Sequence, residues 1–368
     1  MENKQLHIVF LDNPYPADYG GAIDMYYKAQ AIKNLGYSLT LHVFEYGRAR
    51  NEALNVLGKV HYYPRKKNVF SLFSFLPFIV KTRASKLLFT RLSEDNHPVL
   101  FEGLHCCAFL KKLKHKETIV RTHNIEHHYY NKLSKNASLI KKYYYLFEAR
   151  KLKFFEKKLI YANHLWCISE KDRVHFNSFH PSCFTLLPCF NIEQQIEECE
   201  TKPYVLFHGN LSVEENEAAI DKILDCCFDL DYTFIVAGKN PSEKIINEIE
   251  RAPNFTLIEN PNHQELKVLI NEAHIQLLIT GQATGAKLKL IIGLCGNGHV
   301  IANDKILEGT NLAPYCISIN EQSDINECIL NAFRNDLKKE EHEKRIAFIK
   351  SHYDLKKNLR ALLNLLNK

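Results

Sequence analysis

The sequence predicts an α/β chain made of two successive doubly wound units, each a parallel sheet covered by helices on both faces. Three observations carry this reading. Buried-strand runs and helical patterns alternate along the whole chain, the order that builds parallel sheets. The alternation is interrupted by one polar stretch, NIEQQIEECETKP at 191–203. The length of 368 residues fits two domains of roughly 100–200 residues each.

The first series opens with LHIVFL (6–11), a strand, then the turn-rich DNPYPADYGG and a helix from about Ala22 to Leu35. Strands follow at 38–46, 59–64, 98–103 and 118–124, then an aromatic-rich helix over 137–160 and strands at 164–169 and 183–188. The second series starts with YVLFHGN (204–210), a helix over 214–227 and strands at 232–239, 255–260, 275–280, 299–304 and 316–319. Helices at 242–250 and 263–272 lie between these strands, and helices over 322–335 and 338–366 end the chain.

A hydrophobic content of 46% with 24% charged residues is ordinary for a globular protein with sizeable cores. The eleven cysteines are scattered without metal-type CxxC pairs, and Cys106–Cys107 and Cys226–Cys227 sit in apolar runs, where cysteine acts as a small buried hydrophobe. The N-terminal MENKQLHIVFLDNP reads as a strand entering a turn rather than a secretory signal, so the expected location is the reducing cytoplasm. The net charge of +6 conceals an asymmetry. Residues 1–195 hold 29 Lys and Arg against 16 Asp and Glu, and residues 196–368 hold 19 against 26. The basic half points to an anionic partner. No nucleic-acid-binding motif accompanies that charge, so nucleic acid is not expected. The apolar run between basic ends at 65–86, RKKNVFSLFSFLPFIVKTRASK, is too short to span a bilayer and is suited to lie at its inner face.

Ligands of doubly wound sheets gather at the carboxyl ends of strands, and the polar residues there form the candidate site. Gly20 and Gly21 let backbone N–H groups approach a ligand at a helix start. They are not part of a GxGxxG fingerprint, which argues against a dinucleotide dehydrogenase. Glu102 and His105 follow one strand, and Arg121, His123, Asn124 and Glu126 follow the next; Asn124 also has the side chain of a helix cap. His123–His127 matches HxxEH, a zinc-peptidase pattern that requires a helix, whereas its first histidine falls at a strand end. In the second half Gly209 and Asn210 end a strand. In TGAKLKLIIGLCGNGHVIAND (284–304), Thr284, Gly285 and Ala286 precede a helix whose Lys289 adds a point charge suited to a diphosphate. Leu288, Ile291, Ile292 and Cys295 make its apolar face.

The segments PYPADYGGAID, RTHNIEHHYY, LWCISEKD, FHGNLSVEENEAA, FIVAGKNPS and TGAKLKLIIGLCGNGHVIAND together resemble the GT-B glycosyltransferases. The resemblance is to glycosyltransferase family 4, the large retaining family that includes sucrose synthases and bacterial mannosyl- and hexosyltransferases. It implies two Rossmann-like domains with a cleft between them: an acceptor domain over 1–195, a nucleotide-sugar domain over 203–345, and a final helix over 346–368 crossing back to the first. It implies hexosyl transfer from a nucleotide-activated donor to a glycan or lipid-linked glycan in surface polysaccharide assembly, without cofactor or metal. By the same resemblance His105 and Glu102 are the catalytic candidates. Gly20, Gly21, Gly209, Asn210, Thr284, Gly285, Ala286 and Lys289 line the donor, and Arg121, His123, Asn124 and Glu126 line the acceptor side or cleft. The chain departs from the family pattern where paired glutamates would fall, at Thr284 and Ile292. Asn210 replaces an arginine, and Asn297-Gly298-His299 replaces Gly-x-Pro. Isoleucine cannot accept hydrogen bonds from a ribose diol, so either Gln282 or Asn303 takes that role or the nucleotide site has decayed. The alternative function is a non-catalytic GT-B protein that binds a glycan or a partner enzyme.

Overall fold

The computed structural model describes residues 4–135, 137–281, 287–320 and 323–364. The chain divides into two compact units. One consists of the residues up to Phe190 and the stretch from Leu355 onward, the other of Asn191–Ala283 and Lys287–Asp354.

The first unit holds seven strands, β1 (Gln5–Phe10), β2 (Ser38–Glu45), β3 (Gly58–Pro64), β4 (Val99–Glu102), β5 (Thr118–Thr122), β6 (His164–Cys167) and β7 (Cys183–Thr185), in the order β3-β2-β1-β4-β5-β6-β7. All pairs are parallel. Its helices are α1 (Gly20–Asn34), α2 (Phe78–Lys81), α3 (Lys86–Leu92), α4 (Glu126–Leu133), α5 (Leu139–Glu156) and α6 (Glu170–Asn177). Side chains alternate between the two faces of a strand, and both faces here are apolar. Leu6, Ile8 and Phe10 of β1 join one core cluster with Met25 and Ile32 of α1. Val9 joins the other, with Phe101, Val120 and Leu152. That double burial is why the strands read as continuous apolar runs.

The second unit holds β8 (Lys202–Asn210), β9 (Thr233–Lys239), β10 (Phe255–Glu259), β11 (Ala273–Leu278), β12 (His299–Asn303) and β13 (Ile317–Ile319), in the order β10-β9-β8-β11-β12-β13. All pairs are again parallel. Its helices are α7 (Glu214–Cys227), α8 (Glu243–Glu250), α9 (His263–Glu272), α10 (Leu288–Gly293), α11 (Asp304–Leu307), α12 (Ile325–Arg334) and α13 (Lys339–His352). Val205 and Phe207 enter its main cluster, and Tyr204 and Leu206 face a smaller one. Strand order reverses beside β1 and β4 in the first sheet and beside β8 and β11 in the second. Those switch points are where loops part and leave room for a ligand.

Two differences from the sequence reading bear on how the chain is organised. The helix expected over 338–366 is two helices, α13 and α14 (Leu355–Leu363), broken after His352. Arg345 anchors α13 to the second unit through the carbonyls of Gly298, at 3.0 Å, and Gly296. Leu359, Leu362 and Leu363 of α14 enter the first unit's core. The residues grouped with the first unit resume at Leu355. The run at 65–86 is also not one segment. A short 3-10 helix, Val69–Phe73, leaves Phe70 and Phe73 exposed, whereas Ile79 and Val80 of α2 are buried.

Candidate functional site

At the first switch point the polar side chains build a closed charge network. Asp24 and Lys28 stand one turn apart on α1, Glu102 ends β4 and Arg121 lies within β5, and all four are fully buried. Lys28 Nζ donates to Asp24 Oδ2 at 2.6 Å and lies 3.0 Å from Glu102 Oε2. Arg121 donates to Asp24 through Nη2 at 2.8 Å and Nε at 3.1 Å, and through Nη1 to the carbonyl of Leu186. The Cys189 N–H adds a bond to Asp24 Oδ1 at 2.8 Å. Two carboxylates and two cations balance, which makes four buried charges tolerable. Burial works to raise the Asp24 carboxyl, but Arg121 and Lys28 outweigh it and hold it well below the usual carboxylate range. Arg121, expected to line a cleft, thus has no access to solvent, because its fork is committed to Asp24.

His123, just past β5, is the member that reaches outward, with its side chain 12% exposed. Its Nε2 lies 3.1 Å from Glu102 Oε2 and its Nδ1 3.8 Å from Asp24 Oδ2. A carboxylate only accepts, so Nε2 carries the proton in that bond. The arrangement is an imidazole oriented from behind by a buried carboxylate, a device that fixes ring direction and tautomer. Among the described residues Glu102 Oε1 is enclosed without a hydrogen-bond partner.

His105 follows Gly103, whose φ of 92° is open to glycine and costly for other residues. A Cβ at position 103 would also meet His105 Nδ1 at 2.9 Å. The glycine therefore lets the histidine fold back over the end of β4. Burial, then the nearby Arg83 and His123, pushes the His105 pKa well below its ordinary value, so its ring is neutral. Its Nδ1 is buried without a partner among the described residues. Arg83 donates to the Leu11 carbonyl at the end of β1, at 2.8 Å, and to Ile79 at 2.9 Å. Burial lowers this guanidinium to about 10.

Gly20 and Gly21 are the first two residues of α1, and the N-cap Tyr19 contributes no side-chain bond there. The loop before them is braced by Arg48, which donates to the carbonyls of Asn13 at 3.0 Å and Pro16 at 2.7 Å. Asn124 does not cap α4; the N-cap is Ile125, without a side-chain bond. Glu126 begins α4 and is buried, and burial together with Glu156 raises its carboxyl to about 8. The HxxEH spacing makes no joint site. His123 precedes the helix, and His127 turns to Glu156 at 2.7 Å, with His175 3.8 Å beyond.

In the second unit, Gly209 and Asn210 end β8. Asn216 on α7 donates to the Asn210 carbonyl at 2.8 Å and accepts from Lys289 Nζ at 3.3 Å. Lys289, the second residue of α10, also lies over the Phe207 ring, 4.8 Å from its centroid. Burial lowers its ammonium to about 8. The structure thus joins the β8 loop to the lysine through Asn216. Thr284, Gly285, Ala286 and Gln282 lie outside the described residues. Ile292 packs against the cluster containing Tyr204, Leu206 and Ile270. Asn303 is committed to Thr280, accepting from its N–H at 3.1 Å and donating to its carbonyl at 2.8 Å. Asn297 and His299 bond backbone carbonyls, and a Cβ on Gly298 would meet the Ala273 carbonyl at 2.1 Å.

Sequence reading missed Asp24, Lys28, Arg83 and Asn216. Asp24 and Lys28 have the i,i+4 spacing of a solvated helix pair, and only the sheet contacts reveal them as buried. Asn216 sits in the acidic run SVEENEAA, which reads as a helix start.

No protein-family model matches the chain. It is 26% identical to an uncharacterized 44.6 kDa protein in the cps region of Klebsiella pneumoniae, over 95% of this chain and 96% of that one. Among solved structures it superposes on sucrose-phosphate synthase of Thermosynechococcus elongatus with a TM-score of 0.72, 11% identity and 99% coverage of both chains. This chain has the GT-B glycosyltransferase fold. Another GT-B match is a glycosyltransferase of Rickettsia africae, with TM-score 0.70, 13% identity, and 99% of this chain and 98% of that one covered. A third is Anabaena HepE in complex with UDP and glucose, with TM-score 0.67, 9% identity, and 98% and 99% covered. Two parallel sheets of seven and six strands carry the GT-B likeness along the full length.

Proposed function

We propose that this GT-B chain moves a hexose-type sugar from a nucleotide-activated donor to a glycan or lipid-linked glycan in surface polysaccharide assembly, by the retaining route of family 4. The observation that carries the reading is the full-length GT-B correspondence, which includes a protein crystallised with UDP and glucose. The relative in a cps region fits the polysaccharide role. In this reading Lys289, Asn216 and the Gly209–Asn210 turn hold the donor diphosphate, and the family resemblance assigns Thr284, Gly285 and Ala286 to the same ligand. His105, His123, Gly20 and Gly21 face the sugar and acceptor, and Glu102 orients His123. No metal is assigned, because Lys289 and backbone N–H groups supply the positive charge. The chain acts in the cytoplasm at the inner face of the membrane, with contact through 65–86. Among the described residues no helix is long and apolar enough to cross a membrane.

A second reading, a non-catalytic GT-B protein that binds a glycan or partner enzyme, is favoured by Ile292, which packs on the core where the family places a glutamate. A thermal-shift screen over nucleotides and nucleotide sugars separates the two, because a ligand of the folded state raises its stability. The transferase reading expects a shift with a nucleoside diphosphate and slow hydrolysis of the matching sugar nucleotide. A full panel without either result supports the non-catalytic reading.

A further inference from the structure

The first unit exposes more apolar surface than its fold explains. On the loop after β3, Phe70, Phe73 and Phe75 are 84%, 83% and 102% exposed. On α5, Ile140, Tyr143, Phe147 and Phe154 are 86%, 70%, 53% and 73% exposed. Their spacing of i, i+3, i+7 and i+14 puts them on one helix face, a stripe about 21 Å long at 1.5 Å per residue. Single exposed hydrophobes are ordinary, but a contiguous patch marks an interaction surface.

The two sets are held together. Lys151 of α5 donates to the carbonyls of Leu72 at 3.1 Å and Ser74 at 3.2 Å, and its ammonium lies 4.7 Å from the centre of the Phe147 ring. Glu148, one residue past Phe147, pairs with Lys151 and accepts from the Phe78 N–H at 2.6 Å. The loop is thus strapped along α5, and its phenylalanines point outward from a fixed backbone.

Charge decides the partner. Residues 65–86 contain six basic residues, all but the buried Arg83 reaching the surface, and no acidic one. Residues 135–158 contain eight basic residues and two acidic ones, Glu148 and Glu156, both buried. Neither segment exposes a carboxylate. Aromatic side chains among lysines whose charged heads reach past them suit an interface of acyl chains and anionic headgroups.

We infer that this loop and α5 form one surface that docks the first unit on an anionic bilayer, with α5 lying in the interfacial plane and Phe73 and Phe75 entering beside it. The inference deepens the membrane contact of the reading above and adds α5 as its larger part.

The test is co-sedimentation of the full chain with vesicles of phosphatidylcholine alone or with added phosphatidylglycerol, at low and high salt. Binding is expected on the anionic vesicles only, with release by salt. Ile140→Glu with Tyr143→Glu, and separately Phe73→Asp with Phe75→Asp, should each lower vesicle binding by roughly tenfold or more. Thermal unfolding should not change, since these side chains are exposed. No binding by the unmodified chain at low salt overturns the inference, as does wild-type binding by the α5 variant. A dimer in solution that these variants dissociate, without vesicle binding, assigns the surface to a second copy and also overturns it. Nucleotide thermal shifts in the same samples keep the two readings apart. Lost vesicle binding with a retained nucleotide response isolates docking, and the reverse result counts against sugar transfer alone.

Discussion

Asp24 and Arg121, 97 positions apart in the chain, meet in a two-point ion pair closed to water, with Nη2 2.8 Å from Oδ1 and Nε 3.1 Å from Oδ2. The pair ties α1 to β5 beneath the first switch point, so the outward-facing His123 rests on it. Removing one partner leaves an uncompensated buried charge. Asp24→Asn should therefore destabilise the first unit by about 3–5 kcal/mol. Urea unfolding at several pH values checks both size and sign. The Asp24 pKa is lowered on folding, so its contribution is full above the unfolded value of about 4 and drains away as pH falls further. The gap between the variant and the unmodified protein should narrow in acid and stay constant near neutrality.

Glu126 should show the opposite trend. Its folded pKa is raised to about 8 by burial and by Glu156, so folding favours its protonated form. That stability is complete below the unfolded value of about 4.3 and is lost as pH rises toward 8. Glu126→Gln should match the unmodified protein in acid and exceed it at pH 8 by an amount on the order of a few kcal/mol. Equal stability of the two proteins at pH 8 would mean that the carboxyl is solvated or paired when ionised.

Lys289 offers a proton count. Its ammonium titrates at about 8 because of burial, and a bound diphosphate would restore a higher value. Nucleoside diphosphate binding at pH 9 should take up a proton, seen by calorimetry in buffers of different ionisation enthalpy. Lys289→Ala should remove the uptake and weaken binding by about 1–3 kcal/mol, the range for a charge-assisted hydrogen bond. Unchanged affinity and uptake would take Lys289 out of the site.

Ribose recognition is the fourth test. Ile292 packs on the small cluster of the second unit and Asn303 is committed to Thr280. A site without a buried acceptor for the diol should distinguish ribose from 2′-deoxyribose weakly, by less than roughly tenfold or about 1.4 kcal/mol. Paired titrations with both nucleotides measure it. A much larger preference would require another polar group at the ribose.

The alternation of runs such as LHIVFL and YVLFHGN revealed both sheets, because strands buried on two faces leave no polar period to misread. The break after His352 was hidden because KEEHEKRIAFIKSH and LKKNLRALL are both good helix sequences. Only the anchoring of Arg345 on Gly298 and the burial of Leu359 in another core separate them. At the site, residues at strand ends were visible from the turn residues around them, as with Glu102, Gly103 and His105. Their partners were not. Asp24 and Lys28 have ordinary surface spacing, and the sequence does not show that the Arg121 guanidinium finds a buried carboxylate. The exposed stripe on α5 reads in the sequence only as aromatic-rich, since a buried and an uncovered apolar face have the same periodicity.

The docking of α14 into the first core has a consequence for synthesis. Leu359, Leu362 and Leu363 fill space beside Met25 and Ile32, yet about 170 residues of the chain are translated between Phe190 and Leu363. At typical elongation rates the ribosome needs roughly ten to thirty seconds for that stretch. During this interval the nascent first unit carries an open apolar notch on the α1 side while the second unit is being made. A holding chaperone would find its binding site there, and a released chain truncated before residue 355 should lose the protease resistance of the first unit that the full chain has.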